Sequence, residues 1–156
     1  MINFDYQEQA ANAADCLATI DPVWQQMADK LQTFNALSYL SSHDTRLFRE
    51  GGPRGAELLL LAPGAVQIFY GDETQRPFGP TGSDPLQGTR SDMNWQDAAG
   101  AQASTLAHWK VLGQFRARHP AIGAGTQTTL STTTGYAFIR QHGDDKVMVV
   151  WAGNRE

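Results

Sequence analysis

The strongest constraint on this chain is a strand–helix–strand pattern with short connectors between residues 36 and 73. Residues 34–41 are rich in strand formers and run into Ser41-Ser42-His43-Asp44-Thr45-Arg46. Gly51-Gly52-Pro53 then opens a compact helix over 54–62, which Pro63-Gly64 ends. Residues 66–70 follow as an apolar run with a β-branched bias, the pattern expected of a strand buried on both faces. Two strands joined through one helix make a βαβ unit, and that unit implies a parallel sheet.

The flanks extend the pattern. Residues 2–4 read as the end of a strand. Residues 6–20 read as a helix with Ala10, Ala13, Ala14 and Leu17 on one face. Asp21 offers an N-cap before Pro22, and Trp24, Met27, Ala28 and Leu31 continue at helical spacing. Residues 71–100 hold three of the seven prolines and few aliphatic residues, so they read as a long irregular loop. Such a loop at the C-terminal end of a parallel strand stands where α/β folds build their sites. Residues 104–118 return to helix, with Leu106, Trp109, Leu112 and Phe115 on the buried side, and Pro120 stops it.

Beyond that point the character changes. Residues 126–131, 136–140 and 146–151 are strand-like, with turns at Thr133-Thr134-Gly135 and at His142-Gly143-Asp144-Asp145. The cut falls near 122–125, giving an α/β part over 1–122 and the beginning of an all-β part over 123–156.

Bulk properties narrow the function classes. At 156 residues, 41% hydrophobic and 18% charged, the chain can fill a globular core and is not a disordered tail. The 12 basic residues are scattered and the net charge is -4, so no basic stripe marks a nucleic-acid partner. Cys16 is alone, which excludes an internal disulfide and a multi-cysteine zinc site. Apolar runs such as 58–62 are far short of a membrane span. The first residues show neither the basic nor the apolar region of a signal peptide.

His43-Asp44 places an imidazole and a carboxylate at the C-terminal rim of a parallel strand, the active-site face of a (β/α) barrel. On the dipeptide alone, Asp44 as a turn cap is the preferred reading. The balance shifts with the second block, in which a Pro63-Gly64 turn leads through a strand to Tyr70-Gly71-Asp72-Glu73. Together the two blocks resemble those ending the seventh and eighth barrel strands of the alpha-amylase family of glycoside hydrolases. Arg90-Ser91-Asp92-Met93-Asn94-Trp95 is similar to the stretch after the eighth strand. The segment from His108-Trp109 to His119-Pro120 is similar to the last barrel helix. Within the family the likeness is nearest to the periplasmic members of Gram-negative bacteria.

The resemblance implies an α/β fold: the last part of a (β/α)8 TIM barrel, about three strands with their helices, followed by the start of an antiparallel all-β domain. It implies that Asp44 is the transition-state-stabilising carboxylate and that His43 donates to hydroxyls of the same sugar. Arg90 and Trp95 would line the substrate cleft; for Trp95, packing the long loop onto the barrel stands as an equal alternative. Asp72 and Glu73 would be architectural. Retaining glycosidases need two more carboxylates, about 5–5.5 Å apart, and in the family these lie on earlier strands. The chain alone is therefore expected to be inactive. The implied partner is an alpha-glucan such as starch or maltodextrin, in the periplasm or outside the cell. No cofactor is identifiable here, and calcium in the full-length enzyme stays open. Three strands cannot close a barrel, so the chain is expected to self-associate. The competing reading is a non-catalytic carbohydrate-binding or interaction module. A His-Asp metal phosphohydrolase is set aside, because no His precedes His43.

Overall fold

The computed structural model describes residues 1–31, 35–79 and 85–153, and the side chains of 85–87 are left aside. The expected strand start at Phe34 and part of the long loop lie outside the described residues. Three strands, β1 (Ile2–Asn3), β2 (Leu37–Tyr39) and β3 (Ala65–Gln67), pair in parallel in the order β1-β2-β3. Ile2 pairs with Leu37 and Leu37 with Ala65. Three more, β4 (Thr126–Leu130), β5 (Tyr136–His142) and β6 (Asp145–Trp151), form a separate antiparallel meander. This is the expected succession of a partial barrel and an all-β beginning.

Between β1 and β2 the chain forms α1 (Tyr6–Asn12), a 3-10 turn at Leu17–Ile20 and α2 (Asp21–Lys30). The single helix expected over 6–20 is thus broken, although its apolar face is buried as read: Ala10, Ala13, Ala14 and Leu17 are all in the core. Asp21 does not cap α2; it is the first residue of that helix, after Ile20. Its carboxylate accepts from Gln127 Nε2 at 2.7 Å, from Thr129 Oγ1 at 2.7 Å and from the Tyr136 hydroxyl. An Asp-Pro pair is a local capping signal, but three donors from the distant sheet outcompete the helix end.

A 3-10 turn at Gly52–Arg54 leads into α3 (Gly55–Leu60), whose residues Leu58, Leu59 and Leu60 are buried. The strand expected over 66–70 is shorter and is not buried on both faces. β3 ends at Gln67, and Ile68 and Tyr70 are exposed. The reason is position, because β3 is an edge of its sheet and an apolar run cannot itself say which neighbours will cover it. The long segment after it is also less irregular than expected, containing a 3-10 helix at Pro85–Arg90 and α4 (Trp95–Ala99). α5 (Ala103–Arg118) buries Trp109, while Leu112 and Phe115 pack against the core only in part. α6 (Pro120–Ala124) leads into the meander.

One apolar core spans both sheets. Tyr6, Trp24, Leu58 and Trp109 lie in the same cluster as Tyr136, Phe138 and Val147. Trp24 Nε1 donates to the Tyr6 hydroxyl at 2.9 Å, and that hydroxyl donates to the Leu58 carbonyl, so the buried polar tips are satisfied. Two arginines collect carbonyls around the C-terminus of α3. Arg116 donates to Leu60 O at 3.0 Å and Ala62 O at 2.7 Å, and also to Gly64 O. Fully buried Arg140 reaches from β5 to Leu61 O, and to Ile122 O at 2.7 Å.

Candidate functional site at the carboxyl ends of the parallel strands

The C-terminal ends of β2 and β3 meet through a buried polar knot. Ser41, just past β2, donates its hydroxyl to the Asp72 carboxylate just past β3, and accepts from Phe48 N at 2.8 Å. Arg49 NH1 lies 3.3 Å from Asp72 Oδ1, while its Nε and NH2 donate to Arg76 O at 2.8 and 2.6 Å. Burial pushes the Asp72 carboxyl up to about 6, against the pull of Ser41 and Arg49. Asp72 is thus enclosed beneath the rim and does not face a cleft. Glu73 turns back to accept from Gly71 N at 3.0 Å. Neither is placed to act on a substrate, which fits an architectural block.

Above this knot stand His43 and Asp44. Ser42 shapes their turn: its hydroxyl accepts from Asp44 N at 3.2 Å and Thr45 N at 3.1 Å, and its N–H donates to Arg46 O at 3.2 Å. From beneath, Gln7 of α1 donates to Leu40 O and, at 3.0 Å, to Arg46 O. The Asp44 side chain, 69% exposed, has His43 Nε2 at 3.2 Å and Arg90 NH2 at 3.5 Å from its Oδ1. Thr89 Oγ1 donates to His43 O at 2.8 Å. Three of the four residues singled out in the sequence, His43, Asp44 and Arg90, therefore converge, although 46 positions separate Asp44 from Arg90. They form an open anionic centre between two nitrogen donors, suited to a polar, hydroxyl-rich ligand.

Trp95 is placed differently. Its ring is 74% exposed on α4, so it does not pack the loop onto the sheet. It lines a shallow cavity of about 390 Å³ with Met93, Asn94, Gln96 and Asp97. A second cavity of about 380 Å³ is lined by Met1, Ile2, Phe4, Val23, Met27, Ala36 and Gly64 among others. Ala36 and Gly64 precede β2 and β3, so this cavity, lined also by Asn3, Asp5, Gln9, Gln26 and Lys30, lies at the opposite end of the strands from Asp44. It belongs to the sheet's edge and bottom.

Sequence reasoning missed Arg76 and Arg49. Arg76 is fully buried and its guanidinium lies 3.9 Å over the Tyr70 ring. That contact also explains why Tyr70, expected in the core, is a half-exposed lid on a buried cation. The only sequence signal was an arginine six residues after a strand end, close to Gly71. Gly71 has φ 86°, and a Cβ there would lie 2.4 Å from Arg76 Cβ. Among the described residues no group of three or more His, Cys, Asp or Glu could hold a metal ion. No helix among them is long and apolar enough to cross a membrane.

Comparison with known proteins adds the context. No protein-family model matches the chain. Over 155 residues it is 77% identical to a periplasmic alpha-amylase of Escherichia coli (strain K12), covering 99% of the chain and 23% of that protein. The chain thus spans about a quarter of the length of this curated relative. Among solved structures it resembles the cyclic alpha-maltosyl-(1-->6)-maltose hydrolase of Arthrobacter globiformis, with TM-score 0.69 and 25% identity over 96% of the chain and 36% of that enzyme. A cyclomaltodextrinase (TM-score 0.67, 22% identity, 96% of the chain and 27% of that protein) shares the fold.

Proposed function

We propose, from the premise that this chain is homologous to the C-terminal region of alpha-amylase-family hydrolases, that it supplies one wall of the active site of a retaining glycoside hydrolase acting on alpha-1,4-glucans in the periplasm. The observation that carries this reading is the Asp44 carboxylate, exposed at the C-terminal rim and flanked by His43 and Arg90. Glycoside hydrolysis passes through an oxocarbenium-like transition state. A fixed carboxylate is complementary to that developing positive charge and accepts from ring hydroxyls. His43 donates to hydroxyls of the same sugar. Arg90 holds the Asp44 carboxylate in place and adds a donor at the cleft wall. Trp95 offers an exposed aromatic face on which a further sugar ring stacks.

The nucleophile and the acid/base must be two other carboxylates, about 5–5.5 Å apart in a retaining enzyme. Asp72 is enclosed and Glu73 is engaged with the backbone. In the alpha-amylase family those two groups lie on earlier barrel strands, and this chain covers only 23% of its curated relative, so the isolated chain is expected to be inactive.

The test is a chimera in which this chain replaces the corresponding segment of the E. coli periplasmic alpha-amylase. It is expected to hydrolyse maltooligosaccharides, and Asp44→Asn within it should lower kcat by about 10²–10³-fold, as loss of a transition-state-stabilising group does. A near-normal rate for Asp44→Asn would remove its assigned role. Turnover by the isolated chain would overturn the requirement for outside carboxylates.

A further inference from the structure

We infer that Arg76 is a positioning residue, a buried clamp that sets Arg90 against Asp44. The inference rests on the reading of Asp44 given above. Four oxygen atoms hold the Arg76 guanidinium: Tyr70 O from Nε at 3.0 Å, Ser91 O from NH1 at 2.9 Å, Thr89 O from NH2 at 3.0 Å, and the Ser91 hydroxyl. Two of these carbonyls belong to the residues on either side of Arg90. The planar fork therefore fixes the backbone before and after Arg90 at once, a geometry the point charge of a lysine does not reproduce.

The clamp is itself fixed. The stack on Tyr70 covers one face of the guanidinium, and the Tyr70 hydroxyl also donates to Ser91 O at 3.0 Å. Ser91 Oγ donates to Pro77 O at 2.6 Å. Arg76 N donates to Gly71 O at 2.8 Å, and Arg49 grips the Arg76 carbonyl from below. Arg76 thus links two rims: the Asp72 knot on one side and the 89–91 segment on the other. That segment delivers two contacts to the β2 rim, Arg90 to the Asp44 carboxylate and Thr89 to the His43 carbonyl. Among the described residues Arg76 donates to three carbonyls and the Ser91 hydroxyl, acceptors that place other groups.

The experiment is a double-variant cycle in the chimera. Arg76→Ala is expected to lower kcat/KM by roughly 10²-fold, the cost of a reacting group displaced by about 1 Å. In an Arg90→Ala background the same substitution should cost several-fold less, because coupled residues are not additive. Arg76→Lys, which keeps the charge but not the fork, should fail to restore the rate. A purely structural role would lower the melting temperature and leave the two effects multiplicative. Equal losses in both backgrounds, or an unchanged kcat/KM for Arg76→Ala, would overturn the inference. Where Arg76→Ala does not fold, Ser91→Ala removes one partner of the clamp and carries the same cycle. An inactive parent chimera would instead defeat the proposed function. An active chimera silenced by Asp44→Asn but showing no coupling would defeat the clamp alone.

Discussion

Asp72 is the residue at which burial and charge conflict most sharply. Its folded carboxyl titrates near 6, above the usual 3.8, because desolvation outweighs Ser41 and Arg49. Below about pH 4 folded and unfolded chains both carry the proton. Between about 4 and 6 the unfolded chain releases it first, so this group's contribution to stability falls as pH rises and is lost above 6. At about 1.4 kcal/mol per unit, the effect is on the order of 3 kcal/mol. Asp72→Asn should therefore flatten the stability difference between pH 4 and 7 in urea denaturation; parallel curves for the two proteins would contradict it. Arg140 poses the opposite case, a buried cation pulled down to about 9 by desolvation and held by carbonyls and Gln127. Arg140→Met removes the donor to Leu61 and Ile122, and about 3 kcal/mol or more of stability is expected to go with it. An unchanged urea midpoint would refute that. At this scale His43, Asp44 and Arg90 were legible from motif order. Arg49, Arg76 and Arg140 were not, since a scattered arginine looks solvated until distant carbonyls converge on it.

At the scale of elements the turns discriminate most clearly. Gly135, between β4 and β5, has φ 81°, and a Cβ there would stand 2.2 Å from the Trp151 carbonyl of the neighbouring strand. Gly143 opens the two-residue turn between His142 and Asp145 with φ 57°, and meets nothing within 4 Å. Backbone strain alone costs about 1–3 kcal/mol at such positions. Gly135→Ala adds a clash and should lower the melting temperature clearly more than Gly143→Ala; equal effects would show that the approach to Trp151 is not limiting. Both turns were readable from their residue types. The second sheet was read nearly to its ends, because alternation and turn chemistry are local. The parallel strands were found but overextended. β3 stops at Gln67, where its pairing with Tyr39 of β2 ends, although the strand expected from the sequence continues to Tyr70.

For the whole molecule the open question is what covers its edges. β1 and β3 each leave one side of the parallel sheet unpaired, and Ile2, Phe4 and Ile68 are exposed beside them. On the second sheet Met148 and Val150 face outward, paired in register with Ile139 and Ala137. Free edges and apolar faces are templates for association. The isolated chain should therefore self-associate with rising concentration in sedimentation experiments, and Ile68→Lys with Val150→Lys should suppress it. A stable monomer at high concentration would rule this out.

The collection of carbonyls at and just past the end of α3 by Arg116 and Arg140 also orders events in time. Synthesis delivers residues from the amino end, so α3 emerges long before its partners. The carbonyls of Leu60 and Ala62 wait for position 116, and that of Leu61 waits for position 140. Until then water must serve them, and the helix end cannot be sealed from solvent. A nascent chain halted on the ribosome with residue 140 still in the exit tunnel would carry α3 frayed at its last turn. Release of the β5–β6 hairpin would be the event that seals that helix end.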